Sequence, residues 1–68
     1  MNIYIVEQFS YREMIGAFST LKLAKEMCNG HLGDNGISFR KETDDEWIGT
    51  ADGGIRDEYR IYRFVLNR

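Results

Sequence analysis

Two stretches decide the fold: Ile3-Tyr4-Ile5-Val6, and Gly16-Ala17-Phe18-Ser19-Thr20-Leu21-Lys22-Leu23-Ala24-Lys25-Glu26-Met27. The first lies in a segment, Asn2 to Gln8, rich in the β-branched and aromatic residues that fit a pleated surface. Ile3, Ile5 and Glu7 project to one side and Tyr4, Val6 and Gln8 to the other. Apolar residues on both sides predict a central strand, covered at least partly on both faces. Phe9-Ser10-Tyr11-Arg12 reads as a connection, and Glu13 to Phe18 as a return strand. Gly16 inside that strand predicts a bulge or a close packing contact.

A helix follows. Ser19 or Thr20 offers a hydroxyl to the unpaired N–H groups of its first turn. Leu21, Ala24, Met27, Cys28 and His31 recur at helical spacing and form one apolar face, with Lys22, Lys25 and Glu26 opposite. Asn29-Gly30 reads as the stop signal, with Gly30 free to take a left-handed cap and His31 just beyond it.

The rest of the chain alternates. Ile37, Phe39 and Lys41 face away from Ser38, Arg40 and Glu42; Thr43 to Glu46 is a hairpin turn; Trp47 to Thr50 is a short strand. Asn35-Gly36 and Ala51-Asp52-Gly53-Gly54 are turn signals. Tyr59 to Leu66 is the last strand, with Tyr62, Phe64 and Leu66 on one face and Tyr59, Ile61, Arg63 and Val65 on the other. The expectation is a single α+β domain spanning residues 1–68, of order β-β-α-β-β-β, with one helix on an antiparallel sheet. One helix covers one sheet face, so the other face is exposed or meets a partner.

Composition narrows the function. The 68 residues are 43% hydrophobic and 29% charged, which is globular rather than disordered. A domain this small buries only about 60% of its unfolded surface, so a second subunit or a target protein is an expected source of support. The lone Cys28 excludes an intrachain disulfide, and a single histidine excludes the usual zinc sites. Nine basic against eleven acidic residues give a net charge of −2, which argues against duplex nucleic acid. No apolar run reaches the roughly 18 residues of a membrane span, and no signal peptide is visible. The free thiol points to the cytosol. No cofactor is expected.

Each chemical motif meets a plainer reading. Gly49-Thr50-Ala51-Asp52-Gly53-Gly54 lacks the Lys-Ser/Thr of a phosphate loop and precedes a strand, so it reads as a turn. Asp44, Asp45 and Glu46 lack calcium-loop spacing and read as a solvated turn. Glu13, Glu42, Asp57 and Glu58 make a catalytic pair only if the fold gathers two in a cleft. Cys28 and His31 are three apart, yet Cys28 shares the stripe of Ala24, where a small buried thiol is the usual occupant. The chain therefore reads as a non-enzyme.

Aromatic and arginine residues are the candidate binding set, because these types carry a large share of interface energy. Phe9, Tyr11 and Trp47 sit in or beside connections; Arg12, Arg56, Tyr59 and Arg60 neighbour them if the loops converge. The plainer reading has Phe9 and Trp47 closing a small core. Aromatics with Arg also suit a nucleotide-like ligand, most simply at a homodimer cleft; the acidic balance ranks that below a protein partner. Arg40, Lys41 and Glu42 look like edge protection, against open-ended assembly.

The segment Gly16-Ala17-Phe18-Ser19-Thr20 leading into Ala24-Lys25-Glu26, after the tyrosine-bearing first strand, resembles small domains of bacteriophage and prophage genomes. The match covers roughly residues 3–27 and is structural: strand, cap and helix. It includes no catalytic residue, so none is carried over. The resemblance implies a phage accessory protein of the host cytosol. Proteins of that class often bind and inhibit host machinery, including defence systems in the manner of anti-CRISPR proteins.

Overall fold

In the computed structural model the chain forms β1 (Asn2–Gln8), β2 (Glu13–Phe18), α1 (Leu21–His31), β3 (Ser38–Thr43), β4 (Glu46–Ala51) and β5 (Arg56–Val65). The structure describes residues 1–9, 12–31, 36–51 and 56–66, and for His31 the backbone only. The expected α+β class and element order are found. The strands make one antiparallel sheet in the order β2-β1-β5-β4-β3, so the first and last strands are adjacent and internal and β2 and β3 are the edges. The β1–β5 ladder is extended by a bond from the Leu66 N–H to the Met1 carbonyl, 2.8 Å.

Residues opposite one another in an antiparallel pair share a face. Tyr4 opposes Phe18 and Arg63, and Val6 opposes Gly16 and Ile61. Ile61 in turn opposes Trp47, and Gly49 opposes both Tyr59 and Phe39. This face receives α1. Val6, Ala24, Cys28, Ile37, Trp47, Ala51, Tyr59 and Ile61 form the buried core, with Tyr4, Ile15, Phe18, Leu21 and Phe39 packed against it. The Tyr4 and Trp47 rings are tilted at 5.9 Å between centroids, a favourable aromatic geometry.

Local chemistry sets the helix ends. Thr20 is the cap, since its hydroxyl accepts from the Leu23 N–H at 3.1 Å and its carbonyl from the Ala24 N–H at 3.2 Å. The expected left-handed cap at Gly30 does not form. The helix runs on to His31, and the positive φ angles among the described residues fall at Arg12 and Gly36. Asn29 takes over the task. Its side-chain oxygen accepts from the Gly36 and Ile37 N–H groups at 3.3 and 3.0 Å, while its amide donates to the Lys25 carbonyl. This ties the helix end to the chain entering β3. Met27, expected on the buried stripe, lies at its exposed margin.

Gly16 fulfils both of its expected roles. It sits beside a bulge at Val6/Glu7, and a Cβ there would meet the Phe18 ring at 3.1 Å. Gly49 is tighter still, because a Cβ would stand 2.8 Å from Phe39 and 2.9 Å from Ile37. The turn between β3 and β4 is latched to β5: the Arg63 N–H meets the Asp45 carbonyl at 2.8 Å, and the Arg63 guanidinium meets the Asp45 carboxylate at 2.7 Å. Among the described residues no helix is long and apolar enough to cross a membrane.

Candidate interaction surface

Alternation forces a second set of side chains onto the face that α1 leaves bare. Ile3 opposes Phe64, Ile5 opposes Tyr62 and Ala17, and Glu7 opposes Arg60 and Met14. Further across, Ile48 opposes both Arg40 and Arg60, and Glu46 opposes Tyr62.

The two halves of this face differ. On the β3–β4 side, Ile48 is only 3% exposed although no helix covers it. Its flanking neighbours are the long stems of Arg40 and Arg60, which shield apolar surface while keeping their heads in water. Those heads are paired. Arg40 meets Asp57 at 3.3 Å and Glu42 at 3.4 Å. Arg60 lies 2.9 Å from Glu46 through Nε, an ion pair whose angle falls short of a hydrogen bond. Its Nη1 donates to the Tyr62 hydroxyl, and its guanidinium stacks 4.9 Å from the Phe9 ring centroid. The Tyr62 hydrogen bond, with Glu46 and Glu7 nearby, holds the Arg60 charge above its ordinary pKa. Asp57 first, then Glu42, do the same for Arg40.

On the β1–β2 side no described residue plays the part of those arginines. Phe64 is 51% exposed and Met14 64% exposed, with Ala17 exposed and Ile3, Ile5 and Tyr62 half-buried between them. The result is an apolar strip along one half of the sheet, bordered by a self-neutralised polar half.

The residues named from sequence scatter. Phe9 and Arg60 do come together, as a stacked pair on the edge of the bare face. Trp47, 8% exposed, lies in the core as its plainer reading has it, and Tyr59, fully buried, is corrected from surface candidate to core; both are on the helix side of the sheet. Arg56 lies 3.0 Å from Glu58, a buried carboxylate that also accepts from the Gln8 side-chain amide at 3.1 Å. Arg12 is exposed and left-handed, with φ 50°. Tyr11 and the Asp52-Gly53-Gly54 turn lie outside the described residues.

The chemical candidates separate too. Burial pushes the Cys28 thiol up to about 12, so it is neutral and unreactive at ordinary pH. Glu42 and Asp57 share Arg40, Glu58 is bound to Arg56 and Gln8, and Glu13 stands exposed on the edge strand. Among the described residues no three His, Cys, Asp or Glu side chains gather where a metal ion would be held.

Sequence reasoning did not name Ile3, Ile5, Met14, Tyr62 and Phe64 as a surface. The signal was the two-sided apolar pattern of Ile3-Tyr4-Ile5-Val6 in a chain with one helix. No protein-family model, curated protein or solved structure matches this chain.

Proposed function

We propose that this chain is a small non-enzymatic accessory protein of the phage type, cytosolic in the host, that binds and inhibits a host protein. The bare half-face of Ile3, Ile5, Met14, Tyr62 and Phe64 is its docking surface. The observation that supports this reading is the contrast within one sheet face. The polar half shields its own apolar residue and neutralises its own charges, while the apolar half does neither. An occupant of the apolar half is therefore itself apolar at the contact, as a protein surface is and a phosphate polymer is not. A counter-defence target, such as a component of a CRISPR system, fits the class resemblance.

The alternative of a nucleotide-binding homodimer rests on the glycine segment, Arg56 and stacking aromatics, of which the Phe9–Arg60 pair is found together. Gly49 serves the core beneath Phe39, and Arg56 faces Glu58. Those two features add no support to that reading, which is left with the Phe9–Arg60 pair.

The test is affinity capture from bacterial lysate with wild type, Phe64→Asp and Lys41→Glu. A partner retained by wild type and Lys41→Glu but lost by Phe64→Asp supports the reading. The same partner on all three, or none on wild type, overturns it.

A further inference from the structure

The two edges of the sheet are not equivalent. Edge strand β3 carries Arg40, Lys41 and Glu42, charges that discourage strand addition. Edge strand β2, Glu13-Met14-Ile15-Gly16-Ala17-Phe18, carries one charge at its first residue. Among the described residues no strand pairs with its outer side.

The bulge in β2 gives this edge an unusual symmetry. Through it, Met14 and Ala17 share the bare face, opposite Glu7 and Ile5 of β1. Glu13, Gly16 and Phe18 share the helix face, opposite Gln8, Val6 and Tyr4, and Ile15 packs against the core on that same side. A two-fold axis between Ile15 and Gly16 places Met14 opposite Ala17 of a second copy, Ile15 opposite Gly16, and Glu13 opposite Phe18. Every opposed pair then lies on one face, and each large residue meets a small one where space is tightest. Shifting the axis by half a residue in either direction opposes residues from different faces, which the pleat forbids.

Charge agrees with that register. It sets Glu13 beside the start of the second copy's α1, whose first turn holds no acidic residue and carries Lys22. An anion at a helix N-terminus is favourable.

We infer that β2 pairs antiparallel with β2 of a second copy, joining two five-stranded sheets into one ten-stranded sheet. The contact is isologous and closes at two copies, because the edges left outermost are the protected β3 strands. It also joins the apolar strips of the two bare faces through the Met14–Ala17 pairs. The pairing shares Met14 with the proposed docking surface but does not rest on target binding, and its test is run without a target.

The experiment is solution mass by light scattering at low and high concentration, with no target present. Wild type is expected to approach twice 8.0 kDa as concentration rises. The double variant Met14→Lys with Ala17→Lys sets like charges opposite across the axis and is expected to be monomeric. Met14→Glu with Ala17→Lys sets opposite charges there and is expected to restore the dimer. Both positions are exposed, and circular dichroism confirms folding. Wild type monomeric at every concentration overturns the inference. So does a dimer that survives the Lys–Lys variant but is lost on Phe64→Asp.

Discussion

Ile3 and Phe64 oppose one another across the β1–β5 ladder, on the side of the sheet that the helix does not reach. Two large apolar side chains there belong to a strip that continues through Ile5, Tyr62 and Met14. Across the same face, Ile48 stands between Arg40 and Arg60 and is only 3% exposed. The proposed function grows from that difference in cover.

Gly49 is a packing position. Its missing Cβ makes room for Phe39 and Ile37 from the neighbouring strand and its approach. Gly49→Ala forces those side chains aside, and such overpacking costs about 1–3 kcal/mol. Urea denaturation checks this, with an unchanged slope and a lower midpoint expected.

Thr20 and Ser19 separate in the same way. Thr20 bonds the Leu23 N–H, so Thr20→Ala should lower stability by about 1 kcal/mol. Ser19 is exposed, and Ser19→Ala is expected within about 0.5 kcal/mol of wild type. Equal losses at both would contradict the assignment of the cap.

The cap at Thr20 was legible from sequence, while the packing role of Gly49 was not. Strand order along the chain, the one-helix architecture and the cap region follow from local pattern, because β-branched alternation and helical spacing are local signals. The bulge at Gly16 was legible for the same reason. Gly30 was misread because Asn29 spends its side chain on Gly36 and Ile37, partners beyond the helix that no local rule foresees. Trp47 and Tyr59 were offered as binding residues because their facing depends on strand register. Their burial follows from pairing with Ile61 and Gly49, which only the assembled sheet reveals. The apolar strip was half legible: the bare face was expected, but not which half of it the arginines would cover.

Cys28 gives a pH prediction with a fixed sign. Its thiol is buried and pushed from 9.0 to about 12, so the folded state resists losing this proton while the unfolded chain does not. Its contribution to stability is fully present below pH 9 and is lost as pH rises toward 12. Within that window one extra proton held by the folded state corresponds to about 1.4 kcal/mol per pH unit. Stability curves of wild type and Cys28→Ala should therefore converge as pH rises from 9. A thiol reagent at neutral pH should label Cys28 only on unfolding; rapid labelling of the folded protein would contradict its burial.

The most direct measurement compares binding of a captured host protein to wild type and Phe64→Asp by calorimetric titration. The unrelated-edge variant Lys41→Glu serves as the reference, and folding is verified for each. The account predicts that Phe64→Asp loses at least tenfold in affinity, about 1.4 kcal/mol, while Lys41→Glu keeps the wild-type value. Equal affinity of Phe64→Asp and wild type would contradict the claim that the bare half of the sheet is where this protein binds.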